Sequence, residues 1–229
     1  WAWMGNLRRQ MVVSFLLVAM VPLVITVVVV SLISFTTQTT LALETQDQIA
    51  KRVAEQVKSF VLAREAELYS LVDVDELGTT NLEGQTRLLN NLLSAQSLYD
   101  ELVLVNRSGR EIIYASRLDV VGSSQLGSRA GKDEFERPKV TGKTYFGPVS
   151  FYDVNGQPYQ IISIPIFNLR SGQLDYVLIA NLRFKAVWDL MAQADVIGSG
   201  SVYLVDSSNR LVAHANPSIA LQRRTVTLP

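Results

Sequence analysis

The chain has no cysteine and only one histidine, His214, among its 229 residues. Without thiols there is no disulfide scaffold, no thiolate metal site and no cysteine nucleophile. A lone imidazole likewise excludes multi-histidine metal centres, so no metal, no cofactor and no catalytic residue is expected. His214 closes a short apolar strand between Ala213 and Ala215, with no acid spaced to orient it as a base. Excess charge is missing as well. Lysine plus arginine total 21 and aspartate plus glutamate total 21, so no basic surplus points to a nucleic acid. The glycines at 122, 127 and 131 precede no helical pattern, which argues against a phosphate loop. The run KDEFERPK after them reads as a solvated charged stretch.

Charge is absent altogether from Met11 to Phe35, MVVSFLLVAMVPLVITVVVVSLISF. As a helix this run extends about 37 Å, enough to cross a hydrocarbon core of ~30 Å. In lipid the backbone must satisfy its own hydrogen bonds, so the β-branched content does not prevent a helix, and Pro22 is expected to kink it. The run is too long for the apolar part of a cleaved signal peptide. Arg8 and Arg9 precede it and the first charge after it is Glu44, which puts residues 1–10 in the cytoplasm and the remainder outside. The expected location is the inner (plasma) membrane, with one pass and the lipid bilayer as a partner.

Beyond the span, residues 36–78 carry neither proline nor glycine until Gly78, and Ile49, Val53, Val57, Phe60, Leu68 and Leu71 recur at helical steps. A long juxtamembrane helix is expected, its stripe packing on a partner helix or on the chain's own sheet. The acids Asp73, Asp75 and Glu76 lack the spacing of a calcium loop. A second helix is expected over 85–97, with Leu88, Leu89, Leu92 and Leu93 on one side. From Tyr99 the texture becomes extended. LVLVN (102–106) and REIIYA (110–115) read as a hairpin. TYFGPVSFY (144–152), turned at Asn155-Gly156 into PYQIISIPIF (158–167), reads as another. A further strand, LDYVLIANLRF, follows Ser171-Gly172, then a helix over 185–194 and a break at GSGS (198–201). The fold class is α+β: a long helix packed on one antiparallel five-stranded sheet. The segment VNRSGREIIY from Val105 is echoed by VDSSNRLVAH from Val205, 100 residues on. That echo reads as the start of a second, truncated copy at 199–229, after a first module at 79–198.

A two-residue turn at 155–156 would set Tyr152 opposite Tyr159, Ser150 opposite Ile161 and Pro148 opposite Ser163. Period two then places Gln160, Ile162, Ile164 and Ile166 on an apolar face, and Ser150, Tyr152, Tyr159 and Ser163 on the other. Flat aromatic walls with a few hydroxyls suit a small-ligand pocket, and they equally suit an ordinary half-exposed sheet face.

The long helix, KTYFGPVSFYDVNGQPYQIISIPIF, DYVLIANL and VYLVDSSNRLVAHANPS together resemble the double Cache sensor regions of bacterial receptors, over about residues 36–220. The resemblance implies two PAS-like modules, a parallel homodimer, and an extracytoplasmic small-ligand input to a histidine kinase, chemoreceptor or cyclic-nucleotide enzyme. The competing reading is a membrane-anchored interaction module with a vestigial pocket. Amino-acid-sensing relatives carry an Arg-x-Trp-Tyr-like clamp and two aspartates. FERPKV stands at the clamp here, giving Phe135 and Arg137 without the Trp-Tyr. Tyr152 and Asn181 stand where the aspartates would be. With Ser150, Tyr159 and Ser163, these residues imply a neutral or carboxylate ligand rather than a free amino acid, because a buried ammonium lacking its counter-charge costs several kcal/mol. For topology, a reporter active only outside the cytoplasm should work when fused after residue 60 and fail at residue 6. The reverse pattern would refute the orientation.

Overall fold

The structure, a computed structural model, describes residues 2–73, 81–118, 125–153, 156–168, 170–193, 202–206, 208–214, 216–220, 222 and 225–226. Asp75, Glu76, Asn155 and the GSGS break lie outside the described residues. The chain divides into two units, residues 1–51 and 52–229.

In the first unit, helix α1 (Ala2–Asp73, continuing into the second unit) runs through Pro22. The ring leaves the Val18 carbonyl without its usual donor, and the Thr26 hydroxyl donates to the Pro22 carbonyl at 2.8 Å. Ser14–Leu32 is long and apolar enough to cross a membrane, with mean hydropathy 2.9 and none of it buried within the protein.

The second unit holds α2 (Leu82–Ala95), β1 (Tyr99–Asn106), β2 (Glu111–Ser116), α3 (Asp133–Thr141), β3 (Tyr145–Phe151), β4 (Pro158–Phe167), β5 (Leu174–Arg183), α4 (Lys185–Ala192), β6 (Tyr203–Val205), β7 (Leu211–His214) and α5 (Pro217–Ala220). Strands β1–β5 form one antiparallel sheet in the order β2-β1-β5-β4-β3. Helix α2 starts three residues earlier than the apolar spacing indicates because Asn81 caps it, its side chain accepting from the Gly84 N–H at 3.0 Å. Its other end is closed by Arg117, whose guanidinium donates to the carbonyls of Leu93, Gln96 and Tyr99. A cation suits the negative end of a helix.

One sheet face is apolar, and Leu102, Leu104, Ile162, Ile164, Leu178 and Leu182 are fully buried on it. Leu68 of α1 and Leu89, Leu92 and Leu93 of α2 close over it, with Phe60, Val61 and Tyr69 at its margin. From Phe60 onward the helical stripe is therefore used inside the chain. Side-chain hydrogen bonds fix α1 to the sheet. The Tyr99 hydroxyl donates to Glu67 at 3.0 Å, and Thr144 donates to the Tyr69 hydroxyl at 3.0 Å.

Two expectations are corrected here. KDEFERPK is helical: it opens α3 two residues after Gly131, buries Phe135 and Pro138 one turn apart, and ends at Gly142 in the left-handed conformation (φ 66°). The β3–β4 register is also shifted. Ser150 lies opposite Tyr159 and Tyr145 opposite Ser163. The Tyr152 N–H donates to the Gln157 carbonyl, closing a four-residue loop with Gly156 at φ 65°, and one extra residue bulges between Phe146 and Val149. The loop shift is two residues, so the faces keep their membership. Ile164 is central on the apolar face, and Ile164→Ala should cost about 2–5 kcal/mol in chemical denaturation. A loss below 1 kcal/mol would contradict this core.

Candidate functional site

The opposite face of the sheet is mixed. Its floor is apolar: Val103, Val105, Val177 and Ile179 pack against Phe135 of α3, with Tyr114, Ile161 and Leu174 around them. Helix α3 therefore covers this face as α1 and α2 cover the other. Antiparallel pairing sets Glu101 beside Asn181, and Asn181 beside Ile161. The Asn181 amide donates to Glu101 Oε2 at 2.7 Å and reaches the Tyr152 hydroxyl at 3.4 Å. Tyr152 stacks on Tyr159 with ring centres 4.2 Å apart. Tyr114 hydrogen-bonds to Glu101, and burial, followed by the negative charge of Glu101, pushes its hydroxyl up to about 12. Burial likewise raises Tyr152, opposed by its hydrogen bond with Asn181.

Six of the seven residues named from the sequence stand on or at the edge of this face. Asn181, Tyr152 and Tyr159 form one cluster. Ser150 pairs with Tyr159 on the edge strand, Ser163 is fully buried between Tyr145 and Ile179, and Phe135 belongs to the floor. Arg137 does not join them. It is exposed on α3 in an ion pair with Asp133 at 3.3 Å, its guanidinium 5.5 Å from the centre of the Tyr145 ring.

The sequence reading missed Glu101, Tyr114 and Arg129. Arg129 is turned inward, bound to Glu111 at 2.6 Å and to Glu134 at 3.5 Å. Burial opposes its charge, but the hydrogen bond to Glu111 and these carboxylates hold its proton more tightly than usual. Its place is set by the β1–β2 turn: the Arg129 N–H donates to the Gly109 carbonyl at 2.7 Å. Gly109 has φ 83°, and a Cβ there would lie 2.7 Å from that of Ala130. The tight VNRSG turn was the available signal, and Glu101 was findable only from the pairing of β1 with β5.

A separate cleft of about 280 Å³ lies between the β3 edge and the β6–β7 hairpin, lined by Pro148, Ser150, Asp206 and Arg210 among others. It shares only Ser150 with the polar cluster. Its charged pair, Arg210 and Asp206, is already mutually bonded at 2.8 Å. The polar cluster on the α3 side is the better candidate site.

The hairpin echo holds at the level of individual hydrogen bonds. Asn106 Oδ1 accepts from the N–H groups of Ser108 and Arg110, and Asp206 Oδ1 from those of Ser208 and Arg210. Residues Gly109 and Asn209 both take positive φ, at 83° and 57°.

An antiparallel five-stranded sheet with helices on both faces and a polar-aromatic cluster on one of them is a sensor-domain architecture of the PAS-like kind. The family model described as Cache domain matches residues 35–227, and the chain belongs to that family. No curated protein matches it in sequence. Among solved structures it is similar to the ligand-binding domain of the Campylobacter jejuni chemoreceptor Tlp3 in complex with L-valine (16% identity, 77% of this chain and 72% of that one, TM-score 0.59). It is also similar to that of the Pseudomonas aeruginosa amino acid chemoreceptor PctC in complex with GABA (14%, 79% and 77%, TM-score 0.64). A third is the extracellular domain of mmHK1S-Z2, a proposed histidine kinase (16%, 81% and 77%, TM-score 0.64).

These findings overturn the expectation that a free amino acid is excluded, since similar domains are solved with L-valine, isoleucine and L-serine bound. The physical reason lies in the register. The two neutral replacements were counted on β3 and β5 alone, whereas a carboxylate, Glu101, stands directly across from Asn181 on β1.

The raised tyrosines predict alkaline sensitivity. The folded state holds the Tyr114 proton above pH 10, where the unfolded chain releases it, so stability is full below pH 10 and falls as pH rises towards 12. Melting temperature measured from pH 9 to 12 should drop, and Tyr114→Phe should flatten the slope. An unchanged slope would contradict the assignment.

Proposed function

We propose that this chain is the extracytoplasmic sensing region of a transmembrane receptor, that its ligand is an amino acid, and that the ligand seats on the α3-covered face of the sheet. The observation that carries the reading is the cluster of Asn181, Glu101, Tyr114, Tyr152 and Tyr159 beside the apolar floor around Ile179 and Phe135. Such a surface offers flat apolar walls and a few fixed donors and acceptors, which orient a small ligand. Cache family membership and the amino acids named for Tlp3 and PctC support the ligand class. The site residues in this reading are Phe135, Ser150, Tyr152, Tyr159, Ser163 and Asn181, joined by Glu101, with Arg137 at the rim.

The span at residues 14–32 supports a single pass, with the sensing unit outside the cytoplasm. The recurrence of one hydrogen-bonded turn at residues 106 and 206 supports two modules of common design, the membrane-distal one covering 79–198. Signalling in this reading is a ligand-driven shift between two arrangements of the sheet and α1, limited by the ligand's differential affinity for them. The full chain in detergent should be melted with each of the twenty amino acids. At least one should raise the melting temperature by several degrees, and Asn181→Ala together with Tyr152→Ala should abolish the shift. A panel with no stabilising member would refute the amino-acid reading.

A further inference from the structure

The cleft between the β3 edge and the β6–β7 hairpin has two fixed walls. Strand β3 ends the sheet, so its outer side has no strand partner among the described residues. Opposite it, the Trp188 indole of α4 donates to the Val212 carbonyl at 3.0 Å, and Leu211, Val212 and Ala213 are buried. The hairpin is thereby anchored through α4. A site that needs no ordering on binding keeps more of its contact energy.

The polar groups of this cleft are unequally committed. Asp206 is fully engaged: Oδ1 accepts from the Ser208 and Arg210 N–H groups, and Oδ2 from Arg210 Nε at 2.9 Å and Nη2 at 2.8 Å. A carboxylate has about four acceptor sites, and here all are filled. Arg210 is in the opposite position. Two of its nitrogens bond one oxygen, and Nη1 has no partner among the described residues. A backbone donor joins it. The Pro158 carbonyl accepts from the Phe184 N–H at 2.9 Å, so Pro158 bonds towards β5. Bonding direction alternates along a strand, so Gln160 bonds towards β5 as well. Val149, opposite Gln160, therefore turns its N–H and carbonyl outward from the free edge.

The chain itself shows what such a guanidinium holds. Arg129 binds two carboxylates at once, Glu111 and Glu134. Arg210 binds one, and its planar fork suits a second. Phe151 and Leu211 add apolar wall. The volume of about 280 Å³ falls just under the roughly 300–1,000 Å³ of drug-sized pockets, which limits the occupant to a few heavy atoms.

We propose that this cleft is a second ligand site, and that it takes a short aliphatic monocarboxylate. The carboxylate lies on the Nη1 side of Arg210, with the Val149 N–H and the Ser150 hydroxyl as further donors, and the chain lies on Phe151 and Leu211. The bound acid ties the edge of the five-stranded sheet to the hairpin that follows it. The site stands whether or not the α3-covered face takes an amino acid.

Calorimetry on the full 229-residue chain in detergent at neutral pH would use acetate, propanoate and butanoate, with butanamide as the uncharged counterpart of the last. At least one acid should bind with a dissociation constant below about 1 mM, and butanamide should bind at least tenfold more weakly than butanoate. Arg210→Gln should weaken the acid at least tenfold, whereas Tyr152→Ala combined with Asn181→Ala should leave it within twofold. Failure of all three acids on the unsubstituted chain overturns the inference. Butanamide binding as tightly as butanoate overturns it too, and needs no substituted chain to fold. So does a folded Arg210→Gln chain that binds within twofold of the original. Loss of binding in the Tyr152→Ala, Asn181→Ala chain would place the acid on the α3-covered face and overturn it as well.

Discussion

The register between β4 and β5 is the constraint on which the rest of the sensing unit depends. It runs from Tyr159 opposite Arg183 to Phe167 opposite Leu174, through the middle of the sheet. With this pairing Ile162, Ile164, Ala180 and Leu178 point at α1 and α2, while Ile161, Ser163, Asn181 and Ile179 point at α3. A slip of one residue exchanges the faces of a strand completely. It would press Asn181 or Ser163 into the apolar layer and turn isoleucines towards Glu101. Burying an amide without partners costs about 2–7 kcal/mol in apolar surroundings, so the pairing that makes the core also makes the site.

That dependence explains which parts were legible in the sequence. The uncharged run from Met11 to Phe35 needs no tertiary information, because length and composition alone meet the membrane criterion. The alternation in PYQIISIPIF and the glycines after each hairpin loop gave strands and faces correctly, since both are local signals. Pairing partners were harder. The Asn-Gly pair suggested a two-residue loop, whereas Tyr152 and Gln157 close a four-residue one, and a bulge at Gly147-Pro148 shifts the partners again.

The candidate site was legible in part for the same reason. Tyr152, Tyr159, Ser150 and Ser163 lie on one hairpin, and their shared face follows from period two. Glu101 meets Asn181 across 80 residues of sequence, and Arg129 reaches Glu111 through a turn held by Gly109. Counting carboxylates along single strands undercounts those a sheet gathers from distant strands, and the mistaken exclusion of amino acids came from that undercount. KDEFERPK failed differently. Asp133, Arg137 and Lys139 are exposed while Glu134 turns in to Arg129, and the helix buries only Phe135 and Pro138, too few apolar positions to show a period.

Asp100 is the one residue of β1 that breaks strand alternation. Tyr99 and Glu101 are two apart and would normally share a face, yet they pair with Leu182 and Asn181, which are adjacent and face opposite ways. The extra residue turns Tyr99 towards Glu67 of α1 and Glu101 towards α3, while the Asp100 carboxylate itself, almost wholly buried, holds Arg183. Three neighbours in sequence thus serve three destinations: the long helix, the last turn of the sheet, and the polar cluster. The two layers on either side of the sheet are joined here by two peptide units. A displacement of the Glu101 backbone along the strand would reach Tyr99 through two peptide units of the main chain, without passing through side-chain packing.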